Sequence, residues 1–593
     1  MNFTNTFAPF LRWIGELKDP KILRADVVAG ITVALVLVPQ SMAYAQLAGL
    51  PPYIGLYASF LPGIVAALFG SSRQLATGPV AVVSLMTAST LEPLAAGNPE
   101  GYLAYAVLMA LMVGVFQISL GLLRMGVLVD FLSHPVVTGF TNAAAIIIGT
   151  SQIGKLFGVS VEKSEHTYET VWNTLVAASQ DTHMMTLVVG IVALGIMIAM
   201  RKFTPKAPNV LVAVAITTAV SWWMNLEAKG VRVVGSIPEG LPALVMPTFD
   251  VETAVQLSTA AIAIALIGFM EAISIAKAMA AQTRQRLDSN QELVGQGLGN
   301  VMSALSGGYA VSGSFSRSAV NISAGAITGF SAIVTGIVVA ITLLWLTPLL
   351  YFLPQATLAA VIIMAVINLV KIKPIMEFWK VQPHDAYVSI ITFALTLLWA
   401  PHLDKGIYVG VILSLGMYLW RTMRPRISEL SRDKDGTLRD AKVRGLKTCD
   451  HISVIRFDGS LYFANAGYFE DKVLRNLAKK PDLVYMIIDA EGINSIDASG
   501  EEMLHVLAQR LHASGVEVLV ARAKKQLMDI FRRTGYVEHL GEDHFFRLRS
   551  HAFNYAWKHL MDRHDPETCP IKIPVPLDAA EADGDARPAT AVS

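Results

Sequence analysis

Long stretches without charge alternate with short polar joints from about residue 27 to residue 420, and the pattern then changes. Residues 27–72 contain no Asp, Glu, Lys, Arg or His, and the next ionisable side chain after Arg73 is Glu92. A helix needs about 20 apolar residues to cross a bilayer, so this opening region alone holds two or three crossings. Apolar segments recur near 27–47, 53–69, 78–91, 103–123, 134–153, 185–200, 208–224, 255–280, 292–306, 314–325, 329–347, 350–370, 386–400 and 406–420. They predict a polytopic α-helical membrane protein with 14 transmembrane segments, several short or interrupted. From Glu429 onward the residues are those of a soluble domain, with strand-like and helix-like runs in alternation.

The polar joints orient this array. Lys18, Lys21 and Arg24, then Arg73, Arg124, Arg201, Lys202 and Lys206, Arg284 and Arg286, Lys371, Lys373 and Lys380, and Arg421, Arg424 and Arg426 all fall on one side. Basic residues collect on cytoplasmic loops, which places both termini in the cytoplasm and the protein in a plasma (inner) membrane. Lys155, Lys163, Lys229 and Arg232 are exceptions, in the two longest outer loops. The N-terminus reads as an amphipathic segment carrying Phe10, Leu11, Trp13, Ile14 and Leu17, not as a cleavable signal. The expected organisation is a cytoplasmic segment 1–25, a transport domain 26–424, a linker 425–447, a cytoplasmic domain 448–565 and a disordered tail 566–593.

Composition narrows the classes further. Only 16% of the residues are charged, against roughly 25% in a soluble domain. A net charge of +1 gives no footprint for nucleic acid. The two cysteines, Cys449 and Cys569, supply neither a disulfide framework nor a thiolate metal site. No cofactor or metal is expected, and no catalytic cluster suggests an enzyme.

Two polar stretches stand out in the apolar half. LFGSSRQLATGPVAVVSL (68–85) and LSGGYAVSGSFSRSAVNI (305–322) share one plan: a helix end with Gly, a short β-prone run, a second Gly and a short helix. Paired interrupted segments at matching places in two halves point to a transporter's binding site. Seven segments per half make the copies inverted (7+7), with the two short helices starting near the midplane. Ser312 or Ser314 is the expected N-cap of the second. Each helix N-terminus offers unpaired N–H groups and about half a positive charge, and together they form an anion site. Arg317 adds a full charge. An arginine at mid-bilayer costs at least about 2.5 kcal/mol, so it has a partner or a purpose. Glu271, mid-way along the segment IALIGFMEAISIAKA, is the second intramembrane charge. The plainer alternatives are a structural Arg317 that caps a neighbouring helix, and a permanent Glu271–Arg317 ion pair.

These residues resemble a known family. The run VPQSMAYAQLAGLPPYIGLYASFLPGIVAALFGSSRQLATGPVAVVSLM, followed by HPVVTGFTNAAA, FMEAISIAKAMAAQTRQRLDSNQELVGQGLGN and VSGSFSRSAVNISAGAITG, is similar to the SulP anion permeases over about residues 20–560. The plant-type, proton-coupled sulfate transporter branch fits best. The resemblance implies seven plus seven inverted segments split into core and gate domains, elevator-like alternating access and a homodimer. It implies an anion between the N-termini of the third and tenth helices, with Gln40, Tyr44, Val80, Ala81, Phe315, Ser316 and Arg317 as substrate-binding residues. Val80 replaces an aromatic found in several relatives, which suits a tetrahedral oxyanion. Glu271 takes the position of the proton-coupling carboxylate.

The soluble part reads as strand (ISVIRF), strand (GSLYFAN), helix, strand (LVYMIIDA), helix, strand (VEVLVAR) and helix. It resembles a STAS domain, a small α/β fold. In related antagonists a serine directly after the Asp is phosphorylated; here Ala498 follows Asp497, with Ser499 one residue on, and the Asp497–Ser499 pair is expected to cap the helix. This domain is expected to serve dimer contact, regulation or a cytosolic protein partner. The function expected of the whole is import of sulfate, or a related oxyanion, with protons across a lipid bilayer. The alternatives are bicarbonate or dicarboxylate transport, or a passive anion channel or exchanger.

Overall fold

The computed structural model describes residues 8–571 apart from 95–98, 127–132, 162–163, 165, 205–207, 248–249, 368 and 561–568. The chain divides into Met1–Leu415 and Gly416–Ser593. Among the helices described up to Met423 are α1 (Pro20–Leu47), α2 (Pro52–Phe69), α3 (Ala81–Leu91), α4 (Pro99–Leu122), α5 (His134–Ser151), α6 (Met184–Phe203), α7 (Asn209–Met224), α8 (Val251–Thr283), α9 (Ser289–Leu305), α10 (Phe315–Ser323), α11 (Phe330–Ile341), α12 (Gln355–Ile367), α13 (Pro383–Trp399) and α14 (Leu403–Met423), with shorter or more polar ones between them. Every apolar segment read from the sequence coincides with one of them. Among the described residues nine helices are long and apolar enough to cross a membrane, while α3 and α7 are shorter apolar helices.

Local chemistry explains where these helices begin. Pro20, Pro52 and Pro383 open α1, α2 and α13, where a missing N–H costs nothing. Asp19, Asp250 and Asp288 precede α1, α8 and α9 and accept from first-turn amides, at about 1 kcal/mol per cap. Close crossings rely on glycine. A Cβ on Gly114 of α4 would stand 2.6 Å from the Gly297 carbonyl oxygen of α9, and one on Gly297 would stand 2.7 Å from that of Gly114. Small residues let apolar helices approach to backbone contact in this way.

Two short strands sit inside the helical bundle. β1 (Thr77–Gly78) precedes α3, and β2 (Ser312–Gly313) precedes α10. They pair antiparallel, Thr77 opposite Gly313 and Gly78 opposite Ser312. The two short helices therefore leave this ladder in opposite directions.

The second part of the chain holds β3 (Arg426–Arg432), β4 (Leu438–Asp440), β5 (Ile452–Leu461), β6 (Tyr485–Asp489), β7 (Ile493–Ile496), β8 (Glu517–Ala521) and β9 (Phe545–Phe546), in sheet order β4-β3-β5-β6-β8-β9 with β7 paired to β5. Helices α15 (Ala466–Lys479), α16 (Ala498–Ala513), α17 (Lys525–Thr534) and α18 (Arg549–Leu560) accompany it. Buried clusters around Phe457, Phe469 and Leu507, and around Ile452, Ile487 and Phe553, form its core.

Three expectations for this domain change. The stretch 425–447 is not a linker: β3 pairs antiparallel with both β4 and β5. ISVIRF and GSL form one ten-residue strand, β5, because β6 and then β7 supply parallel partners along its length. Asp497 alone caps α16, its carboxylate accepting from the Gly500 amide at 2.8 Å and from the Phe463 amide at 2.9 Å; Ser499 is exposed and takes no part. The expected disordered tail lies outside the described residues except for 569–571, in which Cys569 and Ile571 are buried. The Cys449 thiol meets Cys569, and this hydrogen bond together with burial raises it well above the usual thiol range.

Candidate functional site

The antiparallel ladder builds the site. It is locked by the Ser314 amide, which donates to the Ala76 carbonyl at 2.9 Å, and by Ser318 Oγ, which accepts from the Ala76 amide at 2.9 Å. Val80 and Ser314 occupy the N-cap positions of α3 and α10 in extended conformation, and neither side chain caps its helix. The expected serine cap is therefore absent. Ser312 Oγ donates instead to the Gly268 carbonyl of α8 at 2.6 Å, and Ser314 Oγ meets Ser316 Oγ at 3.4 Å. Both first turns keep their amides free of side-chain caps, and those amides carry the positive end of the helix dipole.

Arg317 lies one turn into α10 and is fully buried, at 0% exposure. Its Nη1 donates to Gln40 Oε1 of α1 at 3.1 Å. Its Nε and Nη2 have no hydrogen-bond partner among the protein atoms. These two atoms form one edge of the guanidinium, the fork that grips two oxygens of a single oxyanion. Gly78 lies beside that edge: a Cβ there would be 3.4 Å from Nη2. Among the described residues no ion pair joins Arg317 to a carboxylate, and Glu271 acts on it through its field alone. In this structure the two do not form the direct ion pair of the plainer alternative.

The other expected residues fall around this arginine. Gln40 and Tyr44 face it from α1, both nearly inaccessible. Val80 and Ala81 begin α3 and are buried, while Phe315 and Ser316 begin α10 and are exposed. Glu271 stands on α8, the helix that anchors Ser312, and its electrostatic neighbours are Arg317 and Lys371.

Sequence reasoning missed the shell that holds the ladder. Tyr309 is fully buried and its hydroxyl meets Ser84 Oγ of α3 at 2.8 Å. Asn300 of α9 fixes Val311 from both sides: its Oδ1 accepts from the Val311 amide at 2.8 Å and its Nδ2 donates to the Val311 carbonyl at 3.1 Å. Gln296 Nε2 donates to Thr77 Oγ1 at 2.8 Å, and Gln117 Oε1 accepts from Asn300 Nδ2 at 3.0 Å. The signal was the polar stripe Glu292, Gln296, Asn300 and Ser303 along one face of an otherwise apolar helix. A cleft of about 520 Å³ bordered by Arg12, Ser71, Arg286 and Asn290 includes neither Arg317 nor the residues of the ladder. Among the described residues no group of His, Cys, Asp and Glu is suited to a metal ion.

Comparison with known proteins supplies a second line. Residues 23–392 match the model of the sulfate permease family, and residues 445–551 match the STAS domain. The chain is 35% identical over 579 residues to the probable sulfate transporter 4.2 of Arabidopsis thaliana, covering 94% of this chain and 84% of that one. It is 36% identical over 568 residues to the chloroplastic sulfate transporter 4.1 of the same plant, covering 92% and 82%. The fold is that of the murine Solute Carrier 26 family member A9 anion transporter in its inward-facing state, with a TM-score of 0.85 at 23% identity, covering 94% of this chain and 95% of that one.

Proposed function

Because the chain belongs to the sulfate permease family, and is thus a multi-pass membrane anion transporter with a C-terminal STAS domain and not an enzyme, we propose that it imports sulfate together with protons. The observation that carries the reading is the buried Arg317, whose Nε–Nη2 edge is unpartnered between two uncapped helix N-termini. A tetrahedral dianion matches that edge: two oxygens take the guanidinium fork, and the remaining oxygens reach the amides that begin α3 at Ala81 and α10 at Phe315 and Ser316. Gln40 sets the guanidinium plane, and Tyr44 and Val80 shape the walls.

Proton coupling is assigned to Glu271. An arriving dianion repels a charged Glu271 and offsets the field of Arg317, so it favours protonation. By reciprocity, a proton on Glu271 favours the anion. Glu271 feels Arg317 and Lys371 through their fields, and a direct pair with Arg317 does not lock it.

The 7+7 inverted arrangement into core and gate domains is supported by two short helices that leave one antiparallel ladder in opposite directions. Elevator-like alternating access, a homodimer, an inner-membrane location with both termini cytoplasmic and a regulatory STAS domain belong to the same reading. Its assignment of domains remains 26–424 for transport, 448–565 for the STAS domain and 1–25 for the N-terminal segment, with 425–447 moved into the STAS sheet. Radiolabelled sulfate uptake into proteoliposomes, with and without an inward proton gradient, tests the reading. Gradient-stimulated uptake is expected. Uptake of bicarbonate or a dicarboxylate but not sulfate would redirect it.

A further inference from the structure

Lys371 stands beside the candidate anion site and has no part in the account so far. Its Nζ lies 5.8 Å from the centre of the Phe315 ring. Phe315 is the first residue of α10 and is 55% exposed, whereas Arg317, two residues on, is fully buried. The accessible side of this first turn is thus that of Phe315, and Lys371 stands over its ring. Glu271 lies within its field.

The lysine is held in place through its backbone. Its amide donates to Asn142 Oδ1 at 2.6 Å, and its carbonyl accepts from Asn142 Nδ2 at 3.1 Å. Asn142 is on α5, which packs against α12 and α13 and also touches α3. Phe315 and Arg317 belong instead to α10, which packs against α1 and α8. Lys371 is therefore anchored through α5 while its side chain reaches Phe315 at the start of α10. The chain after it, Ile372–Val381, is a short helix that exposes Ile372, Met376 and Trp379, the habit of a segment lying at a membrane surface. That sets Lys371 at the boundary between water and the buried site.

We propose that Lys371 is a transient second contact for the anion, engaged between water and Arg317, and that it sets a preference for dianions. Its side chain alternates between the face of Phe315 and the passing anion, and a cation–π contact at an exposed site is weak enough to exchange. Coulomb energy is linear in each charge, so a dianion gains twice what a monoanion gains from this lysine. The inference rests on the transport reading above.

The test is a charge ladder at residue 371 of the full chain in proteoliposomes, read as the KM for radiolabelled sulfate. Lys371→Arg should match wild type. Lys371→Gln and then Lys371→Glu should raise KM by the same factor at each step, about threefold to tenfold in low salt, with Vmax little changed. The factor should shrink at high ionic strength. A purely structural lysine gives neither equal steps nor salt sensitivity. A flat ladder beside normal wild-type uptake would overturn this inference alone. Wild-type vesicles that take up no sulfate would overturn the transport reading and this inference with it.

Discussion

A single hydrogen bond joins Arg317 to Gln40, from Nη1 of the arginine to Oε1 of the glutamine at 3.1 Å, and it decides which edge of the guanidinium stays available. Arg317→Lys keeps the charge but loses the fork, and should weaken sulfate binding about tenfold or more, since one charged hydrogen bond contributes about 1.5–3 kcal/mol. Gln40→Ala keeps the fork but frees it to rotate, and should cost less, about threefold to tenfold, the equivalent of one ordinary hydrogen bond. Titration of sulfate into the purified variants ranks them. An order in which Gln40→Ala is the more damaging would mean that the glutamine itself holds the anion.

Tyr309 and Ser84 give an asymmetric pair. Ser84 Oγ also donates to the Val80 carbonyl at 2.8 Å, so the tyrosine hydroxyl is the donor between them. Tyr309→Phe removes one bond and strands nothing, at about 1 kcal/mol. Ser84→Ala leaves a buried hydroxyl without its acceptor and should cost more, about 1–3 kcal/mol. Thermal unfolding of the two variants in detergent checks the order.

Gly313 interlocks the ladder with α8. A Cβ there would stand 2.8 Å from Leu75 Cδ1 and 3.1 Å from the backbone Cα of Ala272. Overpacking of this kind costs about 1–3 kcal/mol, so Gly313→Ala should lower the unfolding temperature and also weaken sulfate binding. An unchanged protein would mean that the ladder shifts without consequence.

The sequence exposed the site unevenly. Arg317 and Glu271 were legible because a charge in an apolar segment is conspicuous. The helices were legible because 20-residue apolar segments admit little else. The partners of Arg317 were not. Whether it met Glu271 or Gln40 depends on how α1, α8 and α10 pack, and no periodicity encodes that. Ser312 looked like a cap from its position before a helix, but it is turned away by the Gly268 carbonyl of α8. The soluble domain shows the same limit. Arg426–Arg432 looked like a linker because its strand partners lie elsewhere in the chain, and the strands ISVIRF and GSLYFAN looked separate because β6 and β7, which carry β5 past Asp458, are equally remote.

The cysteines offer a test of the second domain. Contact with Cys569 and burial both raise the Cys449 thiol, so at pH 8 it stays protonated and little of the reactive thiolate forms. Iodoacetamide should modify neither cysteine quickly in the native protein, and both after denaturation. Rapid native labelling at Cys449, read by mass spectrometry, would show that the pair is open.

Glu271→Gln separates proton coupling from binding. Because sulfate binding and protonation of Glu271 favour one another, wild-type uptake should rise as the outside pH falls, and the variant should lose that dependence while still exchanging sulfate. A variant with wild-type pH dependence would remove Glu271 from the coupling step.

The central claim is that the anion is held by the free edge of Arg317. Equilibrium binding of radiolabelled sulfate to purified wild type and Arg317→Ala addresses it most directly, with normal folding of the variant checked by its elution and unfolding temperature. The account predicts saturable binding to wild type and a loss of roughly a hundredfold or more in the variant, since at least two charged hydrogen bonds go at once. Equal affinity in a folded variant would contradict it and place the anion elsewhere.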